Sequence, residues 1–207
     1  MNPYNPSDTR PADRVPRVID VELLALDLTA CARCVGSLAS IEAAVAAVRP
    51  VLEATGARVT VSKRIVESEE EARRLRFVSS PTIRVNGRDI APVLLESPCQ
   101  SCTDLCGCAD GTSCRAWQYR GEEYPEAPVG LIIESVLRAV LADDGRSHRT
   151  AANVPEVPDN LRRFFHGKAA RPPAAPCCST AERATCCDVD QKEGCCHDSQ
   201  PTACGCR

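Results

Sequence analysis

The stretch 177–207 cannot build a core of its own, and that places the burden of folding on everything before it. Cysteine pairs begin there every nine residues, at Cys177-Cys178, Cys186-Cys187, Cys195-Cys196 and Cys204-Gly205-Cys206, within a background of Ser, Thr, Asp, Glu, Gln and Gly. Only thiols repeat. Paired thiolates on a polar chain bind soft metals and arsenic(III), so the segment reads as a disordered ligand array with all eight cysteines as metal ligands. Adjacent cysteines rarely close an unstrained disulfide with each other, which favours ligation over oxidation.

At 207 residues and 43% hydrophobic content, the rest of the chain can bury one ordinary core. A formal net charge of −3 with interspersed Lys and Arg gives no footprint for nucleic acid or a membrane surface. Fifteen cysteines would fit a secreted disulfide scaffold, but Met1 to Arg17 is polar and Pro-rich without an apolar signal region. No stretch is expected to approach the roughly 20 apolar residues of a spanning helix. The chain therefore reads as cytoplasmic, where dense cysteine means metal binding or redox chemistry.

The domain layout follows from composition and periodicity. Residues 1–17 are a disordered arm, 18–144 a folded domain with a Cys-rich insertion at 96–127, 145–176 a Pro-rich linker, and 177–207 the tail. Val18 to Leu28 is a buried strand running into Thr29-Ala30-Cys31-Ala32-Arg33-Cys34. Val35, Leu38, Ile41, Val45, Val48 and Leu52 then recur at helical spacing, with Pro50 a kink or restart and Gly56 a stop. Arg58 to Val66 alternates as a second strand, and Ser68 with Glu71 makes a capping box for a short helix through Leu75. Ser80-Pro81-Thr82 opens a third strand, Asn86-Gly87 turns it, and Arg88 to Leu95 returns. Beyond the insertion, Val129 to Leu141 is amphipathic and helical. Trp117, Tyr119 and Tyr124 either pack the insertion onto the domain or wall a cleft. Leu161, Phe164 and Phe165 are either a short helix docking on the domain or part of the tether.

This order of elements, with Cys31-x-x-Cys34 opening the first helix and Ser80-Pro81-Thr82 the third strand, resembles the thioredoxin fold over about residues 18–143. More narrowly, it resembles a bacterial thioredoxin-like family of unknown function with a Cys-rich insertion before the last helix. The expected fold class is α/β, a thioredoxin-like mixed sheet flanked by helices. The resemblance implies a cis peptide before Pro81, beside the dithiol. Ala30 stands where thioredoxin has Trp, and Ala32-Arg33 where it has Gly-Pro, which argues against a general protein-disulfide reductase.

Three cysteine groups carry the chemistry. A helix N-terminus lowers the pKa of Cys31 toward or below about 7, making it an exposed nucleophile, with Arg33 adding positive potential. Cys34 is its resolving thiol or a second ligand. Cys99-x2-Cys102-x3-Cys106-x-Cys108-x5-Cys114 is either a zinc or disulfide staple or a set of thiols completing a site with Cys31 and Cys34. The hairpin at Asn86-Gly87 should return Cys99 to Cys108 to the dithiol's end of the sheet. The tail is the third group, and His197 beside Cys196 reads as a solvent-exposed histidine.

The leading expectation is thiol-based handling of soft ions in detoxification, with arsenite or mercury first. No organic cofactor is expected; zinc, As(III), Hg(II), Cu(I) and Cd(II) are candidate ions, and a metal-transfer protein a candidate partner. The alternative is a thiol-disulfide oxidoreductase with Cys31, Cys34 and Pro81 as catalytic set and a thiol reductant as partner. A third reading makes every cysteine a zinc staple in an interaction module.

Overall fold

The computed structural model describes residues 17–91, 93–142 and 156–171. Expectations for residues 1–16 of the arm, for residues 145–155 and 172–176 of the linker, for His197 and for every tail cysteine lie outside the described residues.

Strand β1 (Arg17–Ala25) puts Ile19, Val21 and Leu23 on one face, each with no exposed surface. β2 (Ala57–Ile65) runs parallel beside it, from Arg17↔Ala57 to Ala25↔Ile65. β3 (Thr82–Val85) lies antiparallel on the other side, with Val21 opposite Val85, and β4 (Arg88–Asp89) completes a mixed sheet of order β2-β1-β3-β4. Helices α1 (Ala32–Ala54) and α4 (Val129–Leu141) share one buried cluster with that apolar face through Ile41, Val45, Val48, Leu52, Leu131, Ile132 and Val136. The opposite face starts exposed, with Val18 in solvent. Asp20 and Glu22 point there, Glu22 pairs with Arg84 at 3.6 Å, and no apolar cover is needed until Leu24. Leu24 and Leu26 join Phe77 and Ala72 of α2 (Glu69–Leu75) in a second cluster that holds the cysteines. This mixed sheet flanked by helices is the expected class, and its order is compatible with a thioredoxin-like arrangement.

Ser68 Oγ accepts the Glu71 N–H at 3.2 Å and starts α2; the Glu71 carboxylate reaches back to the Glu67 N–H at 3.1 Å, one residue before the usual capping-box partner. α1 does not restart at Pro50 but runs through it to Ala54. By length and composition α1 could cross a membrane, against the expectation that no stretch comes close; here its Ile41, Ala44, Val45, Val48 and Leu52 are core.

Two further expectations change. Arg88 to Leu95 is not one returning strand. Asn86 and Gly87, at φ 50° and 78°, make the tight reversal, but only Arg88 and Asp89 pair with β3. Pro92 offers no N–H to a ladder, and β5 (Leu95–Pro98) pairs instead with β6 (Ser113–Tyr119), which pairs with β7 (Glu122–Tyr124). The insertion thus has its own antiparallel sheet and a helix, α3 (Gln100–Cys106). Trp117 is fully buried in the main core, and Tyr119 donates to Glu134 of α4 at 2.7 Å, so these aromatics fasten the insertion.

The second concerns the stretch read as linker, where the docking helix, one of the two readings left open for Leu161, Phe164 and Phe165, is the one found. Helix α5 (Asp159–Ala170) lies in it, and Val157, Leu161, Phe164 and Phe165 are buried in the cysteine-bearing cluster. The compact unit reaches Lys168, with Val157, Leu161, Phe164 and Phe165 packed into that cluster.

Candidate metal centre

An acidic turn sets the start of α1. One Asp27 oxygen accepts the backbone N–H groups of Thr29, Ala30 and Cys31 at 2.8, 2.6 and 3.0 Å. Partial burial pushes the Asp27 carboxyl up, yet the N–H groups of Ala30, Cys31 and Thr29 together hold it below its ordinary value. Cys31 is left at the N-cap of α1 in extended conformation.

Two other elements bring thiols to it. Cys99 caps α3, its N–H bonded to Thr112 O at 2.9 Å; Thr103 Oγ1 donates to Cys99 O at 2.9 Å and accepts from Thr112 N at 3.0 Å. These bonds tie the first turn of α3 to the start of β6, so Cys102 and Cys114 arrive together. Cys102 Sγ is 3.5 Å from Cys31 Sγ, and Cys114 Sγ is 3.2 Å from Cys102 Sγ. The sulfurs of Cys31, Cys99, Cys102 and Cys114 all lie within 4.8 Å of one another, and all four residues are buried. Thiolates around a tetrahedral ion with bonds of about 2.3 Å stand roughly 3.8 Å apart. The donor set therefore fits a metal ion, and the cluster could hold one.

Arg33 joins the halves. One guanidinium nitrogen donates to Ser97 Oγ at 2.8 Å and to the carbonyls of Ser97 and Cys114 at 3.3 Å; the other donates to Pro98 O at 2.7 Å. It binds the backbone beside two of the four thiols, a more specific role than the added positive potential its sequence position implied.

Charge is unevenly spread over the sulfurs. Hydrogen bonds from Cys102, then Cys114, Cys34 and Cys99, hold the Cys31 thiol far below its usual range, despite burial. Cys99 is lowered to about 7, chiefly by Cys102 and Cys114. Cys114 is pushed up by its donation to Cys102 and then by Cys31, Cys99 and burial. Cys102 feels a downward pull from Cys114, but donation to Cys31, the Cys99 thiol and burial raise it. Among the four thiols, the hydrogen bonds therefore favour the thiolate most at Cys31.

The structure brings together Cys31, Cys99, Cys102 and Cys114, and leaves out three other core cysteines named from the sequence. Cys34 lies inside α1, 3.3 Å from Ser80 Oγ, its thiol raised by Cys31 and by burial. Cys106 and Cys108 form a disulfide. Cys31 is not an exposed nucleophile: α3 and β6 lie against it and its exposure is 0%. The Ser80–Pro81 peptide is cis, as the resemblance implies. Ser80 does more than precede that bond, since its Oγ accepts Leu26 N at 3.0 Å and its carbonyl accepts Arg115 N at 2.7 Å, linking β1, α1 and β6. Sequence reasoning passed over Asp27 and Ser80. An Asp four residues before a helix-opening cysteine was the signal for the first; the second had none, because its partners are remote in sequence.

The family described as a domain of unknown function, DUF2703, matches residues 19–136. The chain belongs to that family. No curated protein and no solved structure matches it. The DUF2703 segment runs from β1 into α4 and so contains all four clustered thiols, Arg33, Ser80 and the Cys106–Cys108 pair, whereas α5 and the tail follow it.

Proposed function

We propose that this protein binds a soft metal or metalloid ion through Cys31, Cys99, Cys102 and Cys114, on a thioredoxin-like scaffold, and that the tail cysteines form a second, separate set of ligands for the same class of ion, in detoxification. The observation that carries the reading is the mutual 4.8 Å approach of four buried sulfurs from three elements. Thiolate-only donors select soft and borderline ions such as Hg(II), Cd(II), Cu(I) and Zn(II); arsenite would use three of the four. Burial of Cys31 weighs against the oxidoreductase alternative, because attack on a bulky disulfide needs an accessible sulfur.

The test is anaerobic titration of the full chain and of a full-length variant with all eight tail cysteines changed to Ser, each with cadmium, mercury or arsenite, read by native mass spectrometry. The variant should retain one tightly held ion, and the parent should take up more. Uptake of a divalent ion should release protons. Cys31 is held low while Cys102 and Cys114 are pushed up, so those two thiols should supply most of the released protons; below about pH 7 Cys99 should add one more, and apparent affinity should fall more steeply as pH drops. A tail-serine variant that binds no ion sinks the proposal.

A further inference from the structure

The Cys106–Cys108 disulfide sits at the edge of the thiol cluster and has a neighbour that nothing so far employs. Gly167 of α5 lies so close that a side-chain carbon there would come within 2.7 Å of Cys106 O and 2.8 Å of Cys108 Sγ. Cys108 Sγ is also 3.4 Å from Arg163 O. The helix backbone is thus in contact with the bridged pair. Elsewhere α5 is held by thin polar ties: Thr112 Oγ1 donates to Asn160 O at 3.2 Å, Asn160 meets Glu96, and His166 lies 3.1 Å from Glu69 with most of its side chain exposed. Its buried side chains, Val157, Leu161, Phe164 and Phe165, complete the cluster that contains the four thiols.

We propose that Cys106–Cys108 is a redox latch for α5: the closed disulfide lets the helix seat and seal the thiolate cluster, and reduction loosens the helix and opens the cluster to ion exchange. Breaking the bond moves two sulfurs from the roughly 2.05 Å of a disulfide to a non-bonded separation of about 3.5–4 Å. With the α5 backbone at Gly167 packed against both residues, that expansion presses on the helix. Cys106 is 1% exposed while Cys108 is only half-buried, so an incoming thiolate reaches Cys108 Sγ. Its attack forms a mixed disulfide and expels Cys106 as a thiolate, which takes a proton. The second thiol of a dithiol reductant then closes that reductant's own disulfide and frees Cys108, so two electrons have passed from reductant to protein. The inference rests on the proposed thiolate centre for its consequence, but the latch itself can be read without any ion.

Hydrogen exchange measured by mass spectrometry over residues 159–168 supplies that reading, on the full chain before and after treatment with a water-soluble phosphine, which reduces the disulfide and becomes its oxide with water as the oxygen source. Exchange should quicken roughly tenfold on reduction. The C106S/C108S variant should exchange at the fast rate with or without phosphine, and in the tail-serine background a chelator should strip cadmium faster after reduction. Equal α5 exchange in the two redox states overturns the latch, and the reduced parent protein decides this even where the double variant fails to fold. A cluster that takes no cadmium in either state overturns the thiolate-centre reading instead, leaving α5 exchange to judge the latch.

Discussion

The two buried clusters of this domain are built on different physics. One is aliphatic, with Ile19, Val21 and Leu23 of β1 and Ile83 of β3 under α1 and α4. The other gathers six cysteines, Cys31, Cys34, Cys99, Cys102, Cys106 and Cys114, among Leu24, Leu26, Phe77 and the apolar side of α5. The first is stabilised by area removed from water, about 25 cal/mol per Å² of apolar surface, and needs no partner. Thiols are small, so burial alone does little to place them; the turn at Asp27, the Thr103–Thr112 tie and the Arg33 clamp do that instead. The aliphatic cluster specifies the scaffold, and the sulfur cluster is held open to chemistry.

That contrast predicts separable effects. The largest is expected from Cys102→Ser, which removes a sulfur 3.5 Å from that of Cys31 and 3.2 Å from that of Cys114: tight binding of an ion by the core should be lost while far-UV circular dichroism stays that of the parent. Retention of tight core binding would remove Cys102 from the ligand set. Next is Leu23→Ala, which should cost about 2–5 kcal/mol of stability and lower the melting temperature, with the ion stoichiometry of the still-folded protein unchanged. If stoichiometry falls as well, the clusters are not separable. Arg33→Lys comes third. A lysine cannot reproduce the forked donation to Ser97, Pro98 and Cys114, and ion affinity should drop about 10–100-fold, read by competition with a chelator, with little change in melting temperature. The smallest effect belongs to Ser68→Ala: loss of the cap on α2 should cost about 1 kcal/mol in a denaturant titration and leave ion affinity as it was.

Much of the aliphatic cluster could be read directly from residue order. Alternation in Ile19-Asp20-Val21-Glu22-Leu23 marks a strand with one wet face, helical spacing marks α1 and α4, and Ser68 with Glu71 marks α2, because each signal lies within one element and depends on its period. The sulfur cluster was legible only in part. Topology argued that the insertion would return to Cys31, and Cys102 lies 3.5 Å away, but the route was different: the strand expected over Arg88 to Leu95 ends at Asp89. Cys114, outside the span expected to overhang the dithiol, is a member, while Cys106 and Cys108 are not.

What the sequence by itself determined is the supply of thiols and the framework that carries them: a dithiol at a strand-to-helix junction, an insertion with five cysteines, and a repeat that has only cysteine to offer. The tertiary structure alone decided which thiols meet. Cys31 and Cys34 stand three residues apart, yet the first meets Cys102 and the second meets Ser80. Neither choice is local. Each depends on residues more than forty positions away, brought in by β3, α3 and β6, and no period within a single element records where another element will be laid against it.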